Sequence, residues 1–473
     1  MKPQPLEKDP SGIPGLDNVL KGGFPRNRVS VIKGSHGTGK TVIGLNFLTQ
    51  NALEGKAGVF VSFEETVDSL RRNASAMGWD LKRLEDQGLL AFLSFEVTPN
   101  LVLAGDFDIS ATVAIIREKL ESMGARHCVI DASDWLLALF PTHEDRKSHL
   151  LQFQKALTEV GVTTLFTVKD NWEESDILDY LCDCAVRLDS RTDRQISVRR
   201  LQVTKYRGSS YLPNEHPFII DEKGPRLVPV SGMTLDHEAS TEHVSSGNQQ
   251  LDSLLGGGYF KGGATIIAGA SGTGKTTLLS SFAESVCARG DRVLYLSFEE
   301  SVKSLAKTME SPGINLATHI DNGNLRVESS FPESKGTDEQ LIDLTDTIRE
   351  YNPDHICIDP ISATARMGSA KAAFDFQIRL IYHCKQKGIS CLASIQSKTD
   401  HVAREMGRLE LASVAETVIG LEQIDSTEVA TRTITIVKSR ATVHPMGGNG
   451  FMITDNGLTF DASARSFYKH SSN

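Results

Sequence analysis

The chain has 473 residues, of which 40% are apolar, and a formal net charge of -10. This length exceeds what one hydrophobic core usually serves, so we expect two to four domains. The negative charge disfavours an open basic surface for nucleic acid, and no apolar stretch approaches the roughly 20 residues that a membrane-spanning helix requires.

The amino-terminal sequence MKPQPLEKDP has no apolar core of the kind found in secretory signals. The chain contains seven cysteines but no Cys-x-x-Cys motif. We therefore expect a cytoplasmic protein whose thiols are reduced and mostly buried.

A glycine-rich octapeptide occurs twice, as GSHGTGKT from Gly34 and as GASGTGKT from Gly269, 235 residues further on. Each fits the phosphate-binding loop (P-loop) pattern Gly-x-x-x-x-Gly-Lys-Thr, and each follows a β-like run and precedes a helical one. In such a loop, backbone N–H groups and the helix start surround the β-phosphate, while the Lys reaches the β- and γ-phosphates. The residues predicted to bind nucleotide are Gly34, Ser35, His36, Gly37, Thr38, Gly39, Lys40, Thr41, Gly269, Ala270, Ser271, Gly272, Thr273, Gly274, Lys275, Thr276 and Thr277.

The similarity between the two halves extends beyond these loops. SGIPGLDNVLKGG aligns without a gap with SGNQQLDSLLGGG, and the same offset of 235 residues persists at FVSFEET and YLSFEES. Within each half, β-branched apolar runs alternate with helical stretches, which predicts a mostly parallel twisted sheet with helices on both faces. We therefore predict two tandem α/β domains, at 1–230 and 231–473, with a polar linker near their junction.

An aspartate ends a later apolar run in each half, in HCVIDAS and HICIDPI. Asp131 and Asp359 thus occupy the position of a Walker-B carboxylate, which orders Mg²⁺ or its bound water. Together with the P-loop hydroxyls of Thr41 and Thr276, they are the predicted metal ligands. The alternative is that each Asp is an ordinary turn residue at the end of a strand.

Two adjacent glutamates end the preceding predicted strand in each half: Glu64 and Glu65, and Glu299 and Glu300. Ligands of open α/β sheets gather at the carboxyl ends of the strands, so these side chains should face the nucleotide. There a carboxylate can polarise an attacking water or hydroxyl, which makes all four glutamates candidate catalytic residues. The alternative is a solvated acidic loop.

A Lys-x-Arg pair follows in each half, as Lys205 and Arg207 and as Lys438 and Arg440. On a strand, spacing of two points both side chains to one face. Such a pair can neutralise charge on a γ-phosphoryl group, the role of an arginine finger. A charged, solvated strand face is the alternative.

These motifs, together with NASAMGWDL, KYRGSSYLPNEHPFIIDEKG and FMITDNGLTF, make nearly the whole chain resemble the KaiC ATPases of the RecA-like superfamily. The resemblance implies two tandem RecA-like P-loop NTPase domains, ATP and Mg²⁺ as ligands, and a homohexamer that binds ATP between neighbouring subunits in two tiers. It implies that Glu64 and Glu299 are catalytic and that the Lys-x-Arg pairs reach the γ-phosphate of the adjacent subunit.

In the family, the second tier phosphorylates itself on an adjacent Ser-Thr pair before its Lys-x-Arg. Alignment back from Lys438 puts Ala412 and Ser413 there, so the resemblance implies a single acceptor, Ser413. The first half has Asp179 and Tyr180 at this place, which fits a tier that hydrolyses ATP without the phosphorylated pair. A Ser followed by Val-Ala-Glu also fits a helix start or a strand edge.

Three functions remain open. The first is a homohexameric ATPase and serine autokinase that acts as a timing or signalling device, with regulatory or signalling proteins as partners. The second is a DNA-dependent ATPase, either a recombinase or a helicase, which the acidic chain and the absence of a basic run after either predicted Walker-B strand disfavour. The third is a nucleotide-gated scaffold that hydrolyses ATP slowly.

Overall fold

The computed structural model describes residues 6–95, 109–132, 142–170, 175–193, 196–227, 241–397, 411–425, 430–440 and 447–465. The chain divides into two units, Met1–Gly232 and Met233–Asn473. The predicted boundary between residues 230 and 231 lies outside the described residues.

The first unit alternates strands and helices along the chain. Its described strands are β1 (Lys8–Asp9), β2 (Phe24–Pro25), β3 (Val29–Gly34), β4 (Gly58–Ser62), β5 (Leu90–Ser94), β6 (His127–Asp131), β7 (Thr163–Val168), β8 (Cys184–Asp193), β9 (Ile196–Tyr206), β10 (His216–Asp221) and β11 (Gly224–Leu227). Its described helices are α1 (Leu16–Leu20), α2 (Lys40–Leu53), α3 (Val67–Ser75), α4 (Leu81–Asp86), α5 (Ile109–Met123), α6 (His143–Val160) and α7 (Ser175–Leu181).

Nine of these strands form one sheet in the order β11-β10-β9-β8-β3-β7-β6-β4-β5. The strands from β8 to β5 pair in parallel, and β9, β10 and β11 are added antiparallel. Alternate residues of the parallel strands pack into two different apolar clusters, as Ile32 and Val31 of β3 do. The sheet is therefore buried on both faces, which is why its strands read as continuous apolar runs.

The second unit repeats this order of elements. Its described strands are β12 (His243–Val244), β13 (Tyr259–Phe260), β14 (Ala264–Gly269), β15 (Val293–Ser297), β16 (Leu325–Ser329), β17 (His355–Asp359), β18 (Ser390–Gln396), β19 (Thr417–Asp425), β20 (Ala430–Ser439), β21 (Asn449–Thr454) and β22 (Gly457–Arg465). Its described α-helices are α8 (Gln249–Leu255), α9 (Lys275–Ala288), α10 (Val302–Glu310), α11 (Leu316–Asp321), α12 (Thr337–Tyr351), α13 (Ala370–Gln386) and α14 (Leu411–Val414), and two 3₁₀ helices span Pro332–Ser334 and Ile361–Arg366.

The second sheet has the order β16-β15-β17-β18-β14-β19-β20-β21-β22. Its strands from β16 to β19 are parallel, and the last three are antiparallel. In both units the strand before the glycine-rich loop lies among the parallel strands, next to the strand that begins the antiparallel part. The prediction of two tandem RecA-like α/β domains is confirmed. Among the described helices, none is both long and apolar enough to cross a membrane.

The parallel strands give each sheet two distinct ends. We call the end where the glycine-rich loop follows Gly34 or Gly269 the P-loop end, and the other the opposite end. Because β9 and β20 run antiparallel to their neighbours, their last residues return to the opposite end: Tyr206 pairs with Cys184, and Ser439 pairs with Thr417. The two ends are roughly 16 Å apart, from the rise of a six-residue strand such as β3.

Candidate functional site

Each glycine-rich loop joins a fully buried strand to a helix of 14 residues, β3 to α2 and β14 to α9. Gly39 and Gly274 precede these helices with φ of 103° and 100°, and neither helix has a side-chain cap at its start. A Cβ atom on Gly39 would lie 2.3 Å from Ile220 Cδ1. The uncapped N–H groups and the positive end of each helix therefore suit an anion.

The P-loop lysines reach back into their own loops. Lys40 Nζ donates to the backbone carbonyls of Gly34 at 2.8 Å and Ser35 at 3.0 Å. Lys275 makes the same two contacts in the second unit, at 2.9 and 2.7 Å. Each ammonium group thus lies within the loop that the sequence predicts to surround a phosphate.

The other loop residues divide into an exposed tip and a buried base. Ser35, His36 and Gly37 are exposed, whereas Thr38 is buried and its hydroxyl donates to the Ser35 carbonyl at 2.8 Å. In the second unit Thr273 donates to the Ala270 carbonyl at 2.9 Å. Ser271 and Gly272 form the exposed tip, and Thr277 is buried in the first turn of α9.

Asp131 ends β6 beneath the first P-loop, and its side chain is buried. Its Oδ2 accepts a hydrogen bond from the Thr41 hydroxyl at 3.0 Å, and its Oδ1 accepts one from Thr167. Burial raises the pKa of Asp131 to about 6, with help from the charges of Glu64 and Glu65, while the two hydroxyls oppose the shift. The structure thus brings the predicted metal ligands and the predicted catalytic glutamates of the first unit together.

Asp359 ends β17 in the equivalent place but has different partners. Its Oδ2 accepts a hydrogen bond from the Tyr295 hydroxyl at 3.1 Å, and its Oδ1 accepts one from Ser394. Within the described ranges, Thr276 donates no hydrogen bond to Asp359. Sequence reasoning missed Tyr295, because a tyrosine inside the apolar run VLYLS reads as an ordinary core residue.

The charges of the predicted acidic residues affect the pKa of the second P-loop lysine. Burial lowers the pKa of Lys275, and the carboxylates of Asp359 and Glu299 oppose this shift. These opposing charges mean that the three side chains share one electrostatic environment. The second unit therefore brings its P-loop, its strand-end Asp and its first Glu together, as the first unit does.

The two glutamates of the first pair have different surroundings. Glu65 Oε2 accepts hydrogen bonds from Ser69 Oγ at 2.8 Å and from Asn73 Nδ2 at 3.1 Å, both on α3. Glu64 is exposed, and no hydrogen bond to its carboxylate is found in the part of the chain that the structure describes. The Glu65 carboxylate therefore already accepts hydrogen bonds from α3, whereas the Glu64 carboxylate is exposed to solvent.

The second pair repeats this division. Glu300 Oε2 accepts a hydrogen bond from Ser304 Oγ at 3.0 Å on α10, and Glu299 is exposed. In both units the geometry favours the first glutamate of the pair as the group that meets a water molecule. The catalytic assignment of all four glutamates stays a prediction.

The first Lys-x-Arg pair lies at the opposite end of its sheet. Lys205 Nζ donates to the backbone carbonyl of Asp179, and Arg207 Nη2 donates to that of Tyr180 at 3.1 Å. Both acceptors belong to α7, which precedes β8. The structure therefore does not bring this pair to the P-loop of its own unit.

The second pair has the same location and also contacts the predicted phosphoacceptor. Lys438 Nζ donates to the carbonyls of Ala412 at 2.7 Å and Ala415 at 2.8 Å. Arg440 Nη2 donates to the Ser413 carbonyl at 2.7 Å, and Ser413 is exposed on α14. The predicted γ-phosphate contacts and the predicted acceptor of the second unit thus form one surface.

An ion pair that includes a buried lysine contacts Arg440 of this surface. Glu416 Oε1 lies 2.8 Å from Lys385 Nζ and 3.7 Å from Arg440 Nη1, and its Oε2 accepts a hydrogen bond from the Ala264 amide at 2.7 Å. Lys385 is almost fully buried, so its charge requires this partner. Sequence reasoning missed Lys385 because a lysine on α13 reads as a solvated residue.

The residues at each P-loop end fit a Mg²⁺-bound nucleoside triphosphate. They offer an uncapped helix start and a lysine for phosphates, and a hydroxyl and one carboxylate for the metal. Mg²⁺ usually takes only one or two carboxylates in addition to phosphate oxygens and water, so this small donor set is sufficient. The nucleotide-binding and metal-binding assignments stay predictions.

Comparison with known proteins identifies a family. A family model described as "ATPase: KaiC" matches residues 9–230 and again 244–464. The chain is 31% identical over 461 residues to the circadian clock protein KaiC2 of Synechocystis sp., covering 96% of this chain and 81% of that protein. It is 31% identical over 471 residues to the circadian clock oscillator protein KaiC of Synechococcus elongatus, covering 98% and 91%. It is 29% identical over 461 residues to the circadian clock protein KaiC3 of Synechocystis sp., covering 96% and 91%.

Proposed function

The chain belongs to the KaiC family of ATPases, and on this premise we propose that it forms a homohexamer that binds Mg-ATP between neighbouring subunits in both of its units. The observation that carries the proposal is the location of the two Lys-x-Arg pairs. Each pair lies at the opposite end of a sheet whose P-loop end holds the lysine, the strand-end Asp and the exposed Glu.

The separation of the two ends argues for action between subunits. Arg207 and Arg440 lie roughly 16 Å along the strands from their own P-loops, which is farther than an arginine side chain reaches. If they neutralise a γ-phosphate, that phosphate belongs to another copy of the chain. A head-to-tail contact of this kind uses two different surfaces, and it gives a closed ring when its rotation closes.

Each residue at the P-loop end has a defined task in hydrolysis. Lys40 and Lys275 would balance the charge of the β- and γ-phosphates, while Glu64 and Glu299 would orient and polarise the attacking water. The hydroxyl and carboxylate pair of each unit would hold Mg²⁺, whose positive charge would offset that of the phosphates. The Lys-x-Arg pair of the neighbouring copy would complete the site.

The second tier would also transfer phosphate to Ser413. This residue is exposed and hydrogen-bonds Arg440 through its carbonyl, so a contact that brings Arg440 to a neighbouring γ-phosphate brings Ser413 there as well. In the transfer, the Ser413 hydroxyl loses its proton to Glu299 of the neighbouring copy, its oxygen bonds to the γ-phosphorus, and the bond to the β-phosphate oxygen breaks to release ADP.

The names of the relatives support a proposal for the biological role. Their names describe clock proteins, so we propose that this protein is a cytoplasmic timing or signalling device that responds to ATP and to regulatory proteins. The net charge of -10 disfavours nucleic acid as a partner.

Sedimentation in the presence and absence of nucleotide tests this proposal. Wild-type protein with Mg-ATP should sediment as a hexamer. The loops of the Lys40→Ala/Lys275→Ala protein lack the cation that holds the phosphates, so this protein should bind less ATP between its subunits and form fewer hexamers. Full ATPase activity in a dilute monomer would contradict the proposal.

A further inference from the structure

We propose that the Tyr295 hydroxyl weakens the hold of Asp359 on Mg²⁺, so that the second site needs more Mg²⁺ than the first to bind ATP. Tyr295 acts through Asp359 and is therefore a positioning residue. The inference rests on the proposed function, because it takes Asp131 and Asp359 as the metal-binding carboxylates of the two sites.

The first unit has the arrangement that a metal site requires. Thr41 on the P-loop helix donates its hydroxyl to Asp131 Oδ2 at 3.0 Å, so the two predicted ligands already lie side by side. Phe60 lies on the neighbouring strand β4, is fully buried and has no hydroxyl to offer. Among the described residues, Asp131 Oδ2 therefore accepts a hydrogen bond only from Thr41.

In the second unit the corresponding strand position is Tyr295. Tyr295 is opposite Cys357 in the pairing of β15 with β17, as Phe60 is opposite Val129 in the pairing of β4 with β6. Its hydroxyl donates to Asp359 Oδ2 at 3.1 Å, the oxygen that corresponds to the one Thr41 contacts in the first unit.

This difference has a direct effect on metal binding. Asp131 Oδ2 accepts its hydrogen bond from Thr41, a predicted ligand of the same ion, whereas Asp359 Oδ2 accepts one from Tyr295, which is not a predicted ligand. A hydrogen bond from a group that does not itself bind the ion leaves the carboxylate oxygen less negative charge to offer to Mg²⁺ or to its bound water. The Tyr295 side chain is fully buried, so its hydroxyl cannot exchange the hydrogen bond with Asp359 for one with bulk water. Mg²⁺ must therefore compete with a donor that the first site does not contain.

A Mg²⁺ titration of nucleotide binding tests the inference without measuring turnover. The parent protein carries Lys40→Ala, so only the second site binds a fluorescent ATP analogue, and the Mg²⁺ concentration at half-maximal binding is measured. Adding Tyr295→Phe should lower that midpoint about fivefold, the size of one ordinary hydrogen bond. Binding of the analogue in EDTA should stay unchanged, because the phosphate contacts of the loop are intact.

Tyr259→Phe is the matched control. Tyr259 is also fully buried in the second unit, and its hydroxyl finds no hydrogen-bond partner among the described residues. Its substitution should leave the Mg²⁺ midpoint where it is. Phe60→Tyr in a Lys275→Ala background is the reciprocal change, and it should raise the Mg²⁺ midpoint of the first site.

The possible results separate the two hypotheses. If Tyr295→Phe leaves the Mg²⁺ midpoint unchanged, or raises it, while the analogue still binds, the role of Tyr295 is refuted and the proposed function stands. If the Lys40→Ala parent binds no analogue at any Mg²⁺ concentration, the second nucleotide site itself is refuted, and the role of Tyr295 falls with it.

Discussion

Arg440 Nη2 donates a 2.7 Å hydrogen bond to the backbone carbonyl of Ser413. Arg207 makes the corresponding contact with the Tyr180 carbonyl in the first unit, at 3.1 Å. Each unit thus has an equivalent surface at the opposite end of its own sheet, and the two surfaces differ in the side chain that they present, a serine in the second unit and a tyrosine in the first. This surface and the P-loop end together predict how neighbouring copies would meet.

Nucleotide stoichiometry tests the two P-loops separately. Lys40→Ala and Lys275→Ala each remove the cation that balances the phosphates, so each variant should lose one of two nucleotides per chain. Equilibrium dialysis or calorimetry with Mg-ATP measures the stoichiometry. Two nucleotides per chain in the double variant would show that the loops are not the binding sites.

The two glutamates of a pair should differ in their effect on turnover. Glu64→Gln and Glu299→Gln should reduce ATP hydrolysis in their own units by about a hundredfold or more, because the general base is lost. Glu65→Gln is the matched control. It weakens contacts with Ser69 and Asn73 and should reduce thermal stability modestly while most of the turnover remains. Equal losses of turnover at Glu64 and Glu65 would contradict this division of roles.

Asp131 gives the first site a pH dependence. Its pKa of about 6 lies above that of an ordinary aspartate. The folded chain therefore binds this proton more tightly than the unfolded chain does, and the bound proton raises the free energy of unfolding. This added stability of the folded chain is fully present below about pH 4 and is lost as the pH rises through about 6. A Mg²⁺ ion at the proposed site would need the charged carboxylate, so the proposed metal binding should strengthen as the pH rises.

We therefore expect Mg²⁺-dependent nucleotide binding by Lys275→Ala protein to weaken as the pH falls below about 6. Titration of a fluorescent ATP analogue between pH 5 and about 8 measures this change. Asp131→Asn protein should bind Mg²⁺ weakly at every pH. A parent protein whose Mg²⁺ midpoint is flat across this range would rule out Asp131 as the titrating ligand.

Autophosphorylation is tested by mass spectrometry of the protein alone. Wild-type protein held with Mg-ATP should gain a phosphate that maps to Ser413, and Glu299→Gln protein should gain much less, because the acceptor hydroxyl then lacks its base. Ser413→Ala should abolish the modification. Phosphate that persists unchanged in Ser413→Ala protein would place the acceptor elsewhere.

The fold and the position of each glycine-rich loop between a strand and a helix could be predicted from the sequence because those features are local. The alternation of apolar runs and helical stretches, and the fixed spacing of glycines before Lys40 and Lys275, are visible along the chain. The order of the strands within each sheet cannot be read along the chain. The contact between Tyr295 and Asp359 depends on β15 lying beside β17, which only the folded sheet shows.

The same limit applies to the Lys-x-Arg pairs. Their spacing predicts basic side chains near a phosphate but does not say which copy supplies that phosphate. The answer depends on β9 and β20 running antiparallel to their neighbours, which carries Arg207 and Arg440 to the opposite end. In contrast, the contacts of Glu65 with Ser69 and of Glu300 with Ser304 have i,i+4 spacing and could have been read from the sequence.

The most direct test of catalysis between subunits is to mix two inactive proteins. Arg207→Ala/Arg440→Ala chains keep the P-loop end, and Glu64→Gln/Glu299→Gln chains keep the opposite end. When equal amounts are dissociated and reassembled with Mg-ATP, about a quarter of the interfaces in a randomly mixed ring should pair two intact surfaces. ATP hydrolysis should recover to about that fraction of the wild-type rate. A mixture no more active than the average of its two components would contradict the account, because each chain would then act on its own nucleotide.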